Sequence, residues 1–251
     1  MVSDKRISKE TDPGRQRALL TEEAQRNKLL GSMGPSRLKS LVQKMELVAF
    51  RPKQVLHVRD APLGQAYFPL SGVISLVMPS NGKLVEVGMV GDEGVFGLPL
   101  LFGTRSCPMT AISQVGGHAM RLPADRFVER SARDSGLESA LKGYAYAFTI
   151  MLAQGSVCNC AHSIEQRCAR WLLMAHDRVH SDDFALTQAF LAQILGVRRP
   201  SVSEVAEKLQ RRRLIRYWQG RMTILDRRGL EGLTCICYSI IRKEFERMRL
   251  M

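Results

Sequence analysis

Cysteine is scarce in this chain, with 6 in 251 residues, none ahead of Cys107 and none at the spacings of a disulfide framework. Residues 1–25 are polar, carry both signs of charge and hold no apolar run. Neither a secretory leader nor an ordered element is expected there, and the stretch reads as a disordered tail. Together these absences point to reduced thiols in a cytoplasm. Histidine numbers 5. His57 and His118 are too sparse a pair for a jelly-roll metalloenzyme of cupin type. His176 and His180 stand at i and i+4 with Asp177 between them, a metal-compatible spacing that two surface histidines on a helix end also produce. Cys158, Cys160 and Cys168 fall on helical sequence, where positions i and i+2 point about 200° apart. They are expected as small buried residues, and no metal site is assigned. No Walker loop, no paired-carboxylate motif and no set of nucleophile, base and orienter is present. No catalytic residue is therefore assigned and an enzyme is not expected. Repeats and low-complexity tracts are missing too. Charge disappears altogether from Gly143 to Ile164. Such a stretch raises the question of a membrane span, but Gln154, Ser156, Asn159 and His162 interrupt it, so a helix covered by protein is expected.

What the chain has in excess is positive charge, +13 overall beside a hydrophobic content of 45%, enough for one large or two ordinary packed domains. The excess is local. Glu46 to Arg130 holds 8 basic and 7 acidic residues, whereas Arg198 to Arg228 holds 10 basic and 3 acidic. A polyanionic partner, nucleic acid before membrane, would therefore meet the C-terminal part.

That part has a readable pattern. Thr187 can cap a helix carrying Phe190, Leu191, Ile194 and Leu195 on one face; Gly196 suits its left-handed end. Pro200 suits the first turn of a second helix, on which Val202, Val205, Ala206 and Leu209 form the inward stripe. Ile215 to Trp218 and Arg221 to Leu225 read as short strands joined at Gln219-Gly220. The pattern reads as a winged helix-turn-helix. Its DNA-facing residues are expected to be Thr187, Gln188, Arg198, Arg199, Ser201, Ser203, Glu204, Lys208, Arg211, Arg212, Arg213 and Arg221. Arg199 is the candidate for a guanine edge, and the helix-end and wing arginines are candidates for phosphates.

Upstream, Asn27 to Met45 offers two short helical pieces broken at Gly34-Pro35. Gln54 to Val58, Gln65 to Pro69, Val73 to Met78, Leu84 to Val90, Met109 to Val115 and His118 to Leu122 read as strands between glycine turns, a β-sandwich or jelly roll. Leu141, Tyr144, Ala145, Phe148, Met151, Leu152 and Gly155 then give a helix apolar over more than half its girth, and a second copy of the chain is expected to cover the surplus as a homodimer interface. Ile164 to Val179 reads as a further amphipathic helix. Asp226 is expected to cap one last helix with Leu230, Leu233, Cys237, Ile240, Ile241 and Met248 inward, packed on the DNA-binding module. The expected class is α+β: tail 1–25, β-roll sensory domain 26–135, dimerisation helix 136–163, winged helix-turn-helix domain 164–251.

This order resembles the Crp/Fnr family of transcription regulators from about Asn27 to Leu225. The resemblance is carried by Tyr67-Phe68-Pro69 before Gly72, by GDEGVFG at Gly91 to Gly97, and by GVRRPSVSEVAEKL at Gly196 to Leu209. It implies a cytoplasmic homodimer on a two-fold-symmetric operator, double-stranded DNA and RNA polymerase as partners, no membrane, and a signal received in the β-roll. Cyclic-nucleotide binders of the family follow the glycine-rich loop with a glutamate, then an arginine and a small hydroxyl residue. Here Gly97 is followed by Leu98, and the later positions fall on Cys107 and Pro108. The possible effector pocket, Gly97, Leu98, Pro99, Arg105, Ser106, Cys107 and Pro108, is therefore not expected to bind cyclic nucleotide unless Arg105 and Ser106 take those places. No cofactor is assigned and the effector is unknown. The iron–sulfur members gather cysteines ahead of the β-roll, where this chain has none. The alternative reading is a small-molecule or cyclic-nucleotide sensory module that controls a protein partner, its basic C-terminus being only an interaction surface.

Overall fold

The structure, a computed structural model, describes residues 13–250. Its N-terminal half is a β-roll of antiparallel strands: β1 (Glu46–Phe50), β2 (Val55–His57), β3 (Gln65–Pro69), β4 (Val73–Ser80), β5 (Lys83–Val90), β6 (Thr110–Val115) and β7 (Gly117–Pro123). One sheet runs β1-β7-β3 and the other β2-β6-β4-β5. β4 lies between two partners, and its first five residues are all buried. Its end emerges to form a hairpin with β5 whose turn, Asn81-Gly82, has φ of 49° and 75°. Both values belong to the tight turn that matches strand twist. β1, not singled out in the sequence, pairs with β7 from Glu46↔Arg121 to Phe50↔Gly117.

The tail reading needs correction. Pro13–Ala24 is a helix, α1, with Ala24 fully buried and Leu20 packed on the core. Its few apolar residues close on α3 (Pro35–Val42), a long-range contact that local polarity hides. Residues 1–12 lie outside the described residues. Between them α2 (Lys28–Gly31) is capped by buried Asn27, whose side chain accepts from Leu30 and donates to the Pro69 and Gly94 carbonyls at 2.9 and 2.8 Å.

After α4 (Leu98–Leu101) and α5 (Ala124–Arg133) comes α6 (Ser135–Ala161), capped by Asp134, and then α7 (Ile164–Val179), opened by a capping box of Ser163 and Gln166. The described residues contain no helix long and apolar enough to cross a membrane. The C-terminal unit comprises β8 (Asp183–Ala185), α8 (Gln188–Leu195), α9 (Arg199–Arg211), β9 (Ile215–Trp218), β10 (Arg221–Ile224), α10 (Arg227–Leu233) and α11 (Ile236–Arg247). Asp226 caps as expected, but the last helix is two, broken where Thr234 and Cys235 are extended. α11 packs mainly on α6 rather than on the DNA-binding unit, with Phe245 against Tyr144.

That packing corrects the dimer reading. Leu141, Tyr144, Phe148 and Met151 are buried inside their own chain, and Ala145, Leu152 and Gly155 are half-buried. Gly88 of β5 presses on Phe148, Met151 and Leu152, so the sheet and α11 together cover a face that looked unpartnered. What stays outside is a stripe one helical turn apart: Tyr146, 46% exposed, then half-buried Ile150, exposed Ala153, and Val157 at 51%.

Candidate functional site

The helix-turn-helix forms as its local signals dictate. Thr187 Oγ1 accepts from the Phe190 amide at 3.2 Å, and Gly196 turns the chain at φ 65°. α9 buries Val202, Val205, Ala206 and Leu209. The opposite face is left to Arg198, Arg199, Glu204, Lys208 and Arg211, all exposed. Arg198, Arg199, Lys208 and Arg213 make no ion pair among the described residues, so their charge faces solvent undiluted.

Other expected contacts are partly engaged. Ser203 donates to Gln188 Oε1 at 2.8 Å, and the Gln188 backbone N–H donates to the Tyr217 hydroxyl at 3.0 Å. Ser201 and Thr187 are half-buried. Arg212 pairs with Glu165 at 3.6 Å, Arg211 with Glu207 at 4.0 Å, and Arg221 with Asp183, an acid that this arginine holds below its usual range. The Asp183 partner belongs to β8, which pairs with β10 as a third wing strand beyond the two read from the sequence. A groove of about 890 Å³ separates the helix-turn-helix from the β4–β5 hairpin, with Arg198 and Arg199 on one wall and Asn81, Gly82 and Lys83 on the other.

The effector-pocket residues do not gather into an anion cradle. Arg105 is exposed and pairs with Asp125, away from the interior. Cys107 is buried, and its carbonyl and that of Arg105 accept from Asp60 and Leu63 at 2.8 Å each, while Ser106 bridges to Pro62. Leu98 and Pro99 begin α4 after Gly97, at φ 132°.

The GDEGVFG loop instead clasps the helices. Arg178 of α7 and Glu93 of the loop form a fully enclosed ion pair at 2.9 Å, each side chain 2% exposed. Asp92 meets Lys28 at 3.2 Å and His180 at 2.6 Å. A Cβ at Gly91 would collide with Arg178, and one at Gly94 with the Tyr144 ring. Glycine is needed here for close approach, not for turning. His180 is thus turned to Asp92, while His176 lies between Asp182 and Arg227, so these two histidines do not converge on a metal.

Where β5, α6, α7 and α8 meet there is a cavity of about 260 Å³ walled by Met78, Met89, Met109, Met151 and Met174 and by Glu86. Glu86 is half-buried and accepts from Trp171 Nε1 at 2.7 Å and from Ser75. Burial outweighs those bonds and pushes its carboxyl up to about 7. The sequence reading missed Glu86, and it also missed the meeting of Cys158 with His162, Cys235 and Cys237, four residues from two distant segments. Spacing alone carries no signal for either.

Residues 47–134 match the cyclic nucleotide-binding domain and residues 166–233 the Crp-like helix-turn-helix domain. In fold the chain is similar to FixK2 from Bradyrhizobium japonicum, with a TM-score of 0.64 and 16% identity over 76% of this chain and 98% of that one. It is similar to a Crp/Fnr-family protein from Eubacterium rectale, at 0.60 and 17% over 82% and 96%. A third likeness is to the c-di-GMP-responsive global regulator CLP of Xanthomonas campestris, at 0.57 and 13% over 76% and 99%. No curated protein matches the chain in sequence.

Proposed function

We propose that this chain, a transcription regulator of the Crp/Fnr family, binds a two-fold-symmetric DNA operator as a homodimer in the cytoplasm, without a catalytic step of its own. The observation that carries the reading is the start of α9, where Arg198 and Arg199 stand exposed, without an ion-pair partner among the described residues, on a helix fixed from behind by its apolar stripe. Arg199 is the residue assigned to a guanine edge, where a guanidinium makes two parallel hydrogen bonds, with Glu204 one turn on available to a cytosine amino group. Lys208 and Arg213 are assigned to phosphates. Ser203, held by Gln188, positions the helix rather than reading bases.

Two copies are joined, on this reading, along Tyr146, Ile150, Ala153 and Val157, the exposed stripe of α6. The signal enters at the methionine-walled cavity and not at Arg105, because an anionic phosphate needs a cation that Asp125 already holds. RNA polymerase is the partner that a promoter-bound dimer of this family would meet. Selection of binding sites from random DNA tests the reading: a palindromic motif bound by wild type and blurred in Arg199→Ala supports it. Binding of equal strength to every sequence, or none, refutes it.

A further inference from the structure

The C-terminal end of α6 and the joint between α10 and α11 bring four metal-ligating side chains to one point. Cys158 and His162 stand one helical turn apart at the end of α6, Cys235 caps α11, and Cys237 lies in the first turn of that helix. Cys158 Sγ is 3.5 Å from Cys235 Sγ, and Cys237 Sγ is 3.4 Å from His162 Nδ1. All four donor atoms lie within 4.8 Å of one another. A tetrahedral ion with metal–sulfur bonds of about 2.3 Å spaces its sulfurs about 3.8 Å apart. The four atoms are therefore gathered at the scale of one ion. An iron–sulfur cluster would spread four ligands over two or four irons, and ligands on different irons stand further apart.

The surroundings suit sulfur that is bound to an ion: burial disfavours a free thiolate at Cys158, and a metal supplies the charge that the site lacks. The three cysteines are buried and form a small cluster of their own, separate from the main core. Gln154 Nε2 donates to Cys237 Sγ at 3.2 Å, as an outer hydrogen bond that orients a ligand sulfur does. The positive end of α11 points at the group through Cys235 and Cys237. Arg167 and Arg170 of α7 lie close enough to Cys158 to interact with its sulfur, and each has a buried Nε without a hydrogen-bond partner among the described residues. Three thiolates, one neutral imidazole and a divalent ion carry one net negative charge, which these cations offset.

We propose that Cys158, His162, Cys235 and Cys237 form a mononuclear Cys3His site for a divalent ion of zinc type, which ties the end of α6 to the start of α11. On binding, three thiols lose their protons to solvent, four metal–ligand bonds form, and nothing is oxidised or reduced. Thiolate and imidazole donors select zinc over magnesium or calcium, which take oxygen ligands. All four residues lie outside the two matched domains, so neither domain accounts for them.

The test uses the full chain, purified reduced, stripped with a chelator, and titrated with cobalt(II) and then zinc(II). About one cobalt per chain should bind, with thiolate-to-cobalt absorption and the ligand-field bands of a tetrahedral ion, and zinc should displace it. Cys237→Ser and His162→Ala should each weaken binding at least about tenfold, as loss of even an outer partner does elsewhere. Cys160→Ser, at an exposed thiol on the same helix, should bind as wild type. His162 is only half-buried, so its variant stays informative if loss of a buried cysteine prevents folding. Absence of a tetrahedral spectrum, an unchanged spectrum in His162→Ala, or a Cys158–Cys235 disulfide as the only chemistry of the group would each overturn the proposal.

Discussion

Replacing Glu86 by glutamine should raise stability at neutral and alkaline pH and leave it unchanged in acid. The carboxyl moves from its ordinary 4.5 to about 7 on folding, because burial disfavours the charged form by more than the hydrogen bonds from Ser75 and Trp171 favour it. The folded protein therefore holds a proton on Glu86 that the unfolded chain has released, across the window from 4.5 to about 7. Below that window both states are protonated and Glu86 costs nothing; as pH rises through it, stability is lost, and above it the loss is complete. At 1.36 kcal/mol per decade the loss for a carboxylate cut off from water is about 3 kcal/mol. Glu86 is half-buried beside a cavity, so solvent screens it, and about half of that, ~1.5 kcal/mol, is expected. Glutamine mimics the protonated acid, accepting from Trp171 and donating to Ser75 without a charge. Urea midpoints of wild type and Glu86→Gln, measured from pH 4.5 to 8.5 at unchanged slope, give the difference directly. It should open with rising pH and level off above neutrality. A difference that is flat with pH, or that narrows as pH rises, would refute the reasoning.

Gly94→Ala should destabilise by about 1–3 kcal/mol, since the added methyl meets the buried Tyr144 ring; a thermal melt reads it. Arg199→Ala should cost about 1–3 kcal/mol on the specific site and relax base preference there, whereas Arg213→Ala should weaken all DNA alike and flatten the salt dependence by about one unit of slope. Arg221→Ala should do less than Arg213→Ala in the same titration, because Asp183 already occupies it. Ala153→Asp should leave the fold intact and give a monomer by light scattering, while Phe148→Asp should unfold the subunit by burying an unpaired charge. Cyclic AMP and cyclic GMP should give no saturable heat in the micromolar range by calorimetry.

The DNA-reading unit was legible because its signals act within a turn or two: the Thr187 cap, the Gly196 reversal, the Pro200 start and the stripe from Val202 to Leu209 need no distant partner. The β-roll was legible for the same reason, as runs of β-branched residues between glycine turns. Elements that depend on remote pairing were lost. α1 rests on α3, β1 on β7, and β8 is a strand only because β10 lies beside it. The apolar girth of α6 shows that it needs cover, but helical periodicity does not say who provides it, and Gly88 and Phe245 of the same chain do. Cys158 could not be matched to Cys235 because 77 positions separate them and only the break at Thr234 turns both sulfurs of α11 inward.

The clasp of the GDEGVFG loop on α6 and α7 has a mechanical consequence. Arg178 and Glu93 are sealed at 2% exposure, and Gly91 and Gly94 leave no slack against the side chains they meet. Sliding the helices part of the way out would separate the two charges before water could reach them, so intermediate positions are dearer than either end. Such a joint acts as a latch with a threshold, not as a spring. If the proposed signal acts on the β-roll, it should then yield no graded displacement of the helix-turn-helix: below the threshold the helices should stay where they are, and above it swing as one piece.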